Sequence, residues 1–211
     1  MCCVLMALAG CGVGSSPVPP PKTTEPVWLD PEARRLSASG AEVLRPEDWF
    51  EDVTARSGID AVYRTGREAE RLTILESVGG GVCLFDADGD GDLDLYCPGG
   101  GAIDKTTGAA IGVAGKLFRN DGDCRFTNIT AEAGFSAPTD YSHGAVAGDY
   151  DRDGDLDLFV FCFGQSRLYR NDGGVFADVT ESAGLMVQSW DTAAVFADVT
   201  GDGWPDLYVV T

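Results

Sequence analysis

The chain contains three copies of one acidic pattern, and each copy lies between two short apolar segments. In every copy, aspartates occupy alternate positions around a glycine. The copies span residues 86–94, 149–157 and 198–206, with five, five and three acidic residues respectively. So many like charges within nine residues cannot be packed into a core without a compensating cation. Ligands that are all oxygen favour a hard divalent ion, with Ca²⁺ first.

The acidic character of the chain is concentrated in these three stretches. The formal net charge of the 211 residues is −19, and 13 of the 34 acidic residues lie within the three copies. Nucleic acid is not expected as a partner, because a polyanion would be repelled and the sequence has no basic stripe. The remaining carboxylates are typical of a solubilising surface.

The N-terminus is short and apolar and ends in Leu-Ala-Gly-Cys11. Residues 1–11 therefore resemble the signal segment of a bacterial lipoprotein, which implies lipidation of Cys11 and attachment to a membrane. Gly12 after the cysteine then favours the outer membrane or cell surface. No basic residue precedes Cys11, although a signal peptide should carry one, so an upstream start or a chance apolar N-terminus remains an alternative.

Two segments connect this N-terminus to the repeated part of the chain. Residues 12–27 are rich in Gly, Ser and Pro, which predicts a disordered tether. Residues 28–48 are a lead-in segment, in which Asp30 and Pro31 predict the start of a short helix.

Two further motifs recur in a fixed order with the acidic stretches. A Phe-x-(Asp/Asn)-(Val/Ile)-Thr motif begins at residues 50, 126 and 176, and an Arg-Asn-Asp-Gly motif begins at residues 119 and 170. The unit from Phe126 to Val175 is 50 residues long and contains four segments that predict strands, which is typical of a β-propeller blade. Glycines before each acidic stretch predict strands whose backbones approach closely. The longer first unit predicts a surface loop over residues 98–115.

The repeated units resemble FG-GAP/VCBS-type repeats, the Ca²⁺-loop blades of β-propellers, over residues 49–211. The combination of motifs is similar to that of bacterial surface and secreted proteins with an ASPIC/UnbV-associated C-terminal module. The resemblance implies an all-β fold, a partial β-propeller of four-stranded blades with two full units and most of a third. Because the sequence stops inside an apolar strand at Thr211, we expect it to be the N-terminal fragment of a longer protein.

The acidic stretches also resemble the first half of an EF-hand loop. In such a loop the side chains at positions 1, 3, 5 and 9 and the carbonyl at position 7 bind Ca²⁺, and Gly at position 6 permits the turn. The predicted ligands of the first loop are Asp86, Asp88, Asp90 and Asp94, with the Asp92 carbonyl. Those of the second are Asp149, Asp151, Asp153 and Asp157, with the Asp155 carbonyl. Those of the third are Asp198, Thr200, Asp202 and Asp206, with the Trp204 carbonyl.

Ligand charge distinguishes the three predicted sites. Thr200 replaces a carboxylate with a neutral hydroxyl, so the third site is predicted to bind most weakly of up to three ions. A complete EF-hand is excluded, because position 12 is never Glu and the flanking segments predict strands. The predicted role of Ca²⁺ is structural, and the alternative is an acidic hairpin turn that binds no metal.

Cysteine and histidine residues give weaker indications. Cys83 and Cys97 flank the first loop symmetrically, which leaves open a cross-strand disulfide or two buried small residues. His143, the only histidine, is interpreted as a strand or contact residue rather than a catalytic one.

Three functions remain open. The favoured one is a Ca²⁺-stabilised, non-catalytic propeller at the bacterial cell exterior, lipid-anchored or secreted, that binds or adheres to extracellular proteins or glycans. The second is the propeller portion of an extracellular carbohydrate-active enzyme whose catalytic residues lie outside this sequence, because the carboxylates outside the loops form no recognisable pair. The third is a purely architectural surface protein.

Overall fold

The computed structural model describes residues 6–8 and 50–211, apart from residue 72 and residues 136–139. Contacts divide the chain into a unit from Leu5 to Val53 and a unit that contains everything from Thr54 onwards. In the first unit, β1 (Met6–Leu8) pairs antiparallel with β2 (Phe50–Asp52). The remaining residues of the predicted signal segment, with Cys11, the predicted tether (12–27) and the lead-in segment (28–48) lie outside the described residues.

The second unit is all-β and contains two antiparallel four-stranded meanders. The first meander consists of β4 (Cys83–Phe85), β5 (Asp94–Cys97), β8 (Lys116–Asn120) and β9 (Phe126–Asn128), in that order. The second meander consists of β10 (Tyr141–Gly148), β11 (Asp157–Gln165), β12 (Arg167–Asp172) and β13 (Val175–Asp178). β14 (Gln188–Trp190) pairs with the end of β11, and β15 (Ala193–Ala197) and β16 (Asp206–Val210) form a third hairpin.

The smaller elements of this unit precede the first meander or interrupt it. They are helix α1 (Thr54–Ser57), the 3₁₀ helices Arg67–Ala69 and Ile74–Ser77, β3 (Arg64–Thr65), β6 (Gly100–Ile103) and β7 (Ala110–Gly112). β6 pairs parallel with β3 and antiparallel with β7. The prediction of a surface loop over 98–115 is therefore wrong. Ile103 is buried with Leu75 and Tyr141, which gives this segment a small core of its own.

The structure also defines where each repeat begins. The Phe-x-(Asp/Asn)-(Val/Ile)-Thr motif, which precedes the Gly-rich strand in sequence, forms the last strand of the preceding meander as β9 and β13. Its threonine closes that meander, because Thr130 Oγ1 and Thr180 Oγ1 accept the N–H groups of Leu117 and Leu168, each at 3.0 Å. A meander therefore begins at the Gly-rich strand, and each acidic loop connects its first two strands.

The main core lies between the two meanders. Phe135, which follows the turn after β9, contacts the rings of Tyr96, Tyr169 and Phe176 at centroid distances of 5.6, 4.9 and 4.7 Å. Tyr96 comes from the first meander and the other two come from the second. Aromatic pairs at such distances add to the stability that burial gives. Among the described residues, no helix is both long and apolar enough to cross a membrane.

Two glycines of β10 lie directly beneath aromatic side chains, whereas the sequence predicted a close approach of backbones. β10 contacts both β4 and β15, so that the first strands of successive repeats lie side by side. A Cβ atom on Gly148 would lie 2.6 Å from ring atoms of Phe196 in β15, and one on Gly144 would lie 2.3 Å from Phe161. Both distances are well below the 3.5–4.0 Å of an ordinary carbon contact, so a larger residue at either position would require the neighbouring ring to move.

Candidate metal centre

The three acidic loops share one set of internal hydrogen bonds. The position-1 carboxylate accepts the N–H of the position-6 glycine, in the pairs Asp86 with Gly91, Asp149 with Gly154, and Asp198 with Gly203, at 3.0, 3.2 and 2.8 Å. The position-5 carboxylate accepts the N–H of position 7, in the pairs Asp90 with Asp92, Asp153 with Asp155, and Asp202 with Trp204, at 2.8, 3.0 and 2.9 Å. Each position-6 glycine has φ between 86° and 101°, a region that favours glycine. The local sequence thus folds each turn in the same way.

In the first two loops, the carboxylates at positions 1, 3 and 5 converge. One carboxylate oxygen from each residue lies within 4.8 Å of the others, in the groups Asp86, Asp88 and Asp90, and Asp149, Asp151 and Asp153. Asp151 Oδ1 is buried and accepts no hydrogen bond from any described group. An unpaired buried oxygen beside two like charges is unfavourable, and a cation would supply the missing partner. The donor set therefore fits a hard divalent ion.

The position-9 aspartates form a different part of each loop. Asp94 and Asp157 are fully buried and do not belong to the two converging groups. Their Oδ2 atoms accept the N–H groups of Ala87 and Tyr150, the position-2 residues, each at 2.8 Å. In the third loop, Asp206 Oδ2 accepts the corresponding N–H of Val199 at 2.9 Å. The position-9 carboxylate therefore ties the start of each loop to its end.

An asparagine from the Arg-Asn-Asp-Gly motif holds this buried carboxylate from the other side. The N–H of Asn120 donates to Asp94 Oδ1 at 2.8 Å, and the N–H of Asn171 donates to Asp157 Oδ1 at 2.9 Å. Sequence reasoning treated this motif as a hairpin turn and missed its contact with the loops. The signal that could have identified it is its recurrence at the same place in each repeat.

The third loop differs from the other two at position 3. Asp198 accepts the N–H groups of Gly201, Asp202 and Gly203 at 2.6, 3.2 and 2.8 Å. These bonds lower the pKa of Asp198, the bond from Gly203 most strongly. Thr200 brings no charge to the loop, so Asp198 is compensated largely by the protein itself.

Burial acts in the opposite direction in the first two loops. It raises the pKa of Asp94, and it raises the pKa of Asp157 to about 6 against the opposing effect of the backbone N–H groups of Asn171 and Tyr150. Burial, and then the negative charge of Asp153, also raise the pKa of Asp151. These carboxylates are thus held in surroundings where their charge is under-compensated by the protein alone.

The cysteine pair and the histidine that the sequence analysis singled out lie in or between strands, away from the converging carboxylates. Cys83 is a free thiol, and the register pairs it with Tyr96, so that the adjacent Cys97 points to the opposite face of the sheet. The structure therefore contains no disulfide between them. His143 lies in β10, and its Nε2 accepts the N–H of Trp190 Nε1 at 3.0 Å. Burial lowers the pKa of His143.

The fold and the loops together define an all-β repeat protein whose strand pairs are joined by acidic, oxygen-rich turns. The FG-GAP-like repeat family matches residues 86–160 and 149–209, which together cover more than half of the chain. The chain therefore belongs to the FG-GAP-like repeat family. A comparison with curated proteins gives no match.

Proposed function

We propose that the first two acidic loops each bind one Ca²⁺ ion and that the third binds a further ion more weakly. The observation that carries this proposal is the convergence of the carboxylates at positions 1, 3 and 5, with Asp151 Oδ1 buried and unpaired. The position-7 carbonyls of Asp92, Asp155 and Trp204 would complete the ligand set. Each position-9 carboxylate accepts backbone N–H groups but keeps lone pairs that an ion could use.

The proposed role of the ion is structural. Positive charge in the loop would compensate carboxylates that otherwise repel one another and would hold the first two strands of each repeat together. Sites of this kind in extracellular modules bind with Kd of about 10⁻⁴–10⁻³ M, which suits a protein outside the cell.

FG-GAP-like repeats suggest a β-propeller-like binding or adhesion domain. We propose that the two meanders and the third hairpin are successive blades, which the contacts of β10 with both β4 and β15 support. We further propose a non-catalytic role at the bacterial cell exterior, with attachment through a lipid on Cys11 or secretion, and an extracellular protein or glycan as the partner. The combination of repeat motifs supports a relationship to proteins with an ASPIC/UnbV-associated module.

The metal proposal is tested by thermal melting of the chain in Ca²⁺ and in chelator. At a Ca²⁺ concentration about 100 times Kd, each site adds about 2.7 kcal/mol to the free energy of unfolding. Two sites would therefore raise Tm by roughly 10–20 °C for a chain of this size. The variant Asp151→Asn should lose at least half of this increase, because it removes a ligand of the second site.

A matched control separates ion binding from general charge effects. Glu132 is exposed and lies outside the loops, so Glu132→Gln should keep the full increase in Tm. Equal Tm values for the unmodified chain in Ca²⁺ and in chelator would contradict the proposal.

A binding role is tested separately with a glycan array and product analysis on the same chain. Retention of a glycan without product is expected if glycans are the partner. Turnover of any glycan would instead favour the alternative of a carbohydrate-active enzyme.

A further inference from the structure

The side chain of Asn171 joins the first acidic loop to the second. It is 1 % exposed, and its Nδ2 donates both to the Leu156 carbonyl in the second loop at 3.1 Å and to the Ala87 carbonyl in the first loop at 2.9 Å. Its backbone N–H holds Asp157, as described above. Asn171 therefore contacts position 2 of one loop and position 8 of the next with its side-chain amide, and position 9 with its backbone N–H.

The equivalent asparagine of the first repeat provides a direct comparison. Asn120 donates from its N–H to Asp94 and from Nδ2 to the Leu93 carbonyl at 3.1 Å, which are the same contacts within its own repeat. Among the described residues, Asn120 has no hydrogen bond to another acidic loop. The contact with Ala87 is thus an addition to the repeated pattern and not a part of it.

A second contact joins the second loop to the third. Arg152 at position 4 has φ of 61°, a left-handed conformation that the other loops assign to Gly89 and Gly201. Its guanidinium carbon lies 5.2 Å from the ring centroid of Trp204, the position-7 residue of the third loop. A cation–π contact of this kind holds the side chain of Arg152 against the neighbouring loop.

From these two contacts we infer that the three loops are energetically coupled, so that an ion in the second loop strengthens ion binding in both neighbours. The inference rests on the ion binding proposed above. An ion that orders one loop fixes Ala87, Leu156 or Trp204, and the neighbouring loop then has less conformational freedom to lose when its own ion binds. Asn171 carries the coupling between the first and second loops, and Arg152 carries that between the second and third.

The coupling can be measured with the position-6 glycine amides as separate reporters of each loop, by NMR of the ¹⁵N-labelled chain during Ca²⁺ titration. Gly91, Gly154 and Gly203 each donate to the position-1 carboxylate of their own loop. The combined substitution Asp88→Asn and Asp90→Asn removes the first site. This double substitution should weaken Ca²⁺ binding at the second loop, reported by the Gly154 amide, by about fivefold or more. Fivefold is the lower end of typical coupling between two sites.

The asparagine variants assign this effect to one side chain. In an Asn171→Ala background, removal of the first site should change the Ca²⁺ affinity of the second loop, reported by Gly154, by less than about twofold. In the matched Asn120→Ala background, the full effect should remain. If Asn171→Ala does not fold, Asn171→Asp and Asn120→Asp provide the comparison, because in both variants aspartate keeps the acceptor for the N–H of the turn, removes the amide donor and adds one negative charge.

The arginine contact is tested in the same titration. Glycine occupies position 4 in the other two loops, so Arg152→Gly is compatible with the fold. Removal of the second site with Asp151→Asn and Asp153→Asn should weaken Ca²⁺ binding at the third loop, reported by Gly203, when Arg152 is present. It should have no such effect in the Arg152→Gly chain.

The outcomes separate the two proposals. If the second loop, reported by Gly154, binds its ion independently of the first site, the coupling is overturned and the proposed function stays intact. The same conclusion holds for Asn171 if the dependence on the first site persists unchanged in Asn171→Ala. A dependence of Gly203 on the second site that survives in Arg152→Gly would overturn the role of Arg152. If none of the three glycine amides shifts during the Ca²⁺ titration, the loops bind no ion, and both the proposed function and the coupling are overturned.

Discussion

The contact between Gly148 and Phe196 makes a quantitative prediction about how successive repeats pack. An added Cβ on Gly148 would lie 2.6 Å from the Cγ and Cδ2 atoms of Phe196, about 1 Å inside an ordinary carbon contact. The backbone of Gly148 does not have a positive φ, so Gly148→Ala tests packing and not backbone strain. Phe196 or the whole of β15 must move to admit the methyl group.

The size of the effect follows from how freely Phe196 can move. Overpacking of a well-packed site costs about 1–3 kcal/mol. Phe196 is only partly buried, and neighbouring side chains in β15 are exposed, so the third hairpin can relax to some extent. We therefore expect a loss of about 1–2 kcal/mol from Gly148→Ala, which corresponds to a decrease in Tm of roughly 2–8 °C.

Thermal melting with two comparison variants checks this reasoning. A Cβ on Gly79 meets no atom within 4 Å, so Gly79→Ala should leave Tm unchanged or raise it slightly. In a Phe196→Ala background, Gly148→Ala should cost less than about 0.5 kcal/mol, because the clash is no longer present. A cost that is equal in both backgrounds, or no greater than that of Gly79→Ala, would refute the close approach of β10 and β15.

Two further predictions concern the third loop and the buried histidine. Thr200→Asp restores a carboxylate at position 3, so it should tighten Ca²⁺ binding at the third loop, measured from the Gly203 amide; unchanged affinity would contradict the role of ligand charge. Burial lowers the pKa of His143 in the folded chain. As the pH decreases through the ordinary histidine pKa of about 6.5, the unfolded chain therefore binds a proton at His143 more readily than the folded chain does, and the stability of the fold falls. Tm measured between about pH 7 and pH 5 should therefore fall more steeply for the unmodified chain than for His143→Gln, and parallel curves would contradict this assignment.

The loops could be predicted from the sequence because their determinants are local. The carboxylates at positions 1, 3 and 5 and the glycine at position 6 lie within nine residues, and the hydrogen bonds that close each turn join residues at most seven apart, such as Gly91 with Asp86 and Ala87 with Asp94. The strands of each repeat were predicted from alternation that continues into an apolar segment, as in β5, where Asp94 is followed by three buried apolar residues. The sequence also assigned the position-9 aspartates to the loops as predicted ligands, but it did not predict that Asp94 and Asp157 are buried.

The contacts between distant segments could not be predicted in the same way. Asn120 lies 26 residues from Asp94, and Asn171 lies 84 residues from Ala87, so neither contact has a local pattern. The starting point of the repeat was also undetermined, because a periodic sequence has the same period wherever it is divided. Only the pairing of β9 with β8 assigns the Phe-x-Asn-Ile-Thr strand to the end of a meander. β6 and β7 were missed because their Gly and Ala residues resemble those of a loop.

The division of roles within each loop explains why the three sites can differ in affinity without a change in fold. Positions 1, 5 and 9 accept backbone N–H groups in all three loops, so their carboxylates are needed to form the turn even before an ion binds. Position 3 contributes least to the turn. Asp88 accepts one N–H at 3.3 Å, and Asp151 leaves a buried oxygen unpaired. Position 3 is also where the third loop has Thr200, which carries no charge. That substitution removes charge from the proposed site while the turn keeps its hydrogen bonds, so the third loop should fold like the others and bind its ion less tightly.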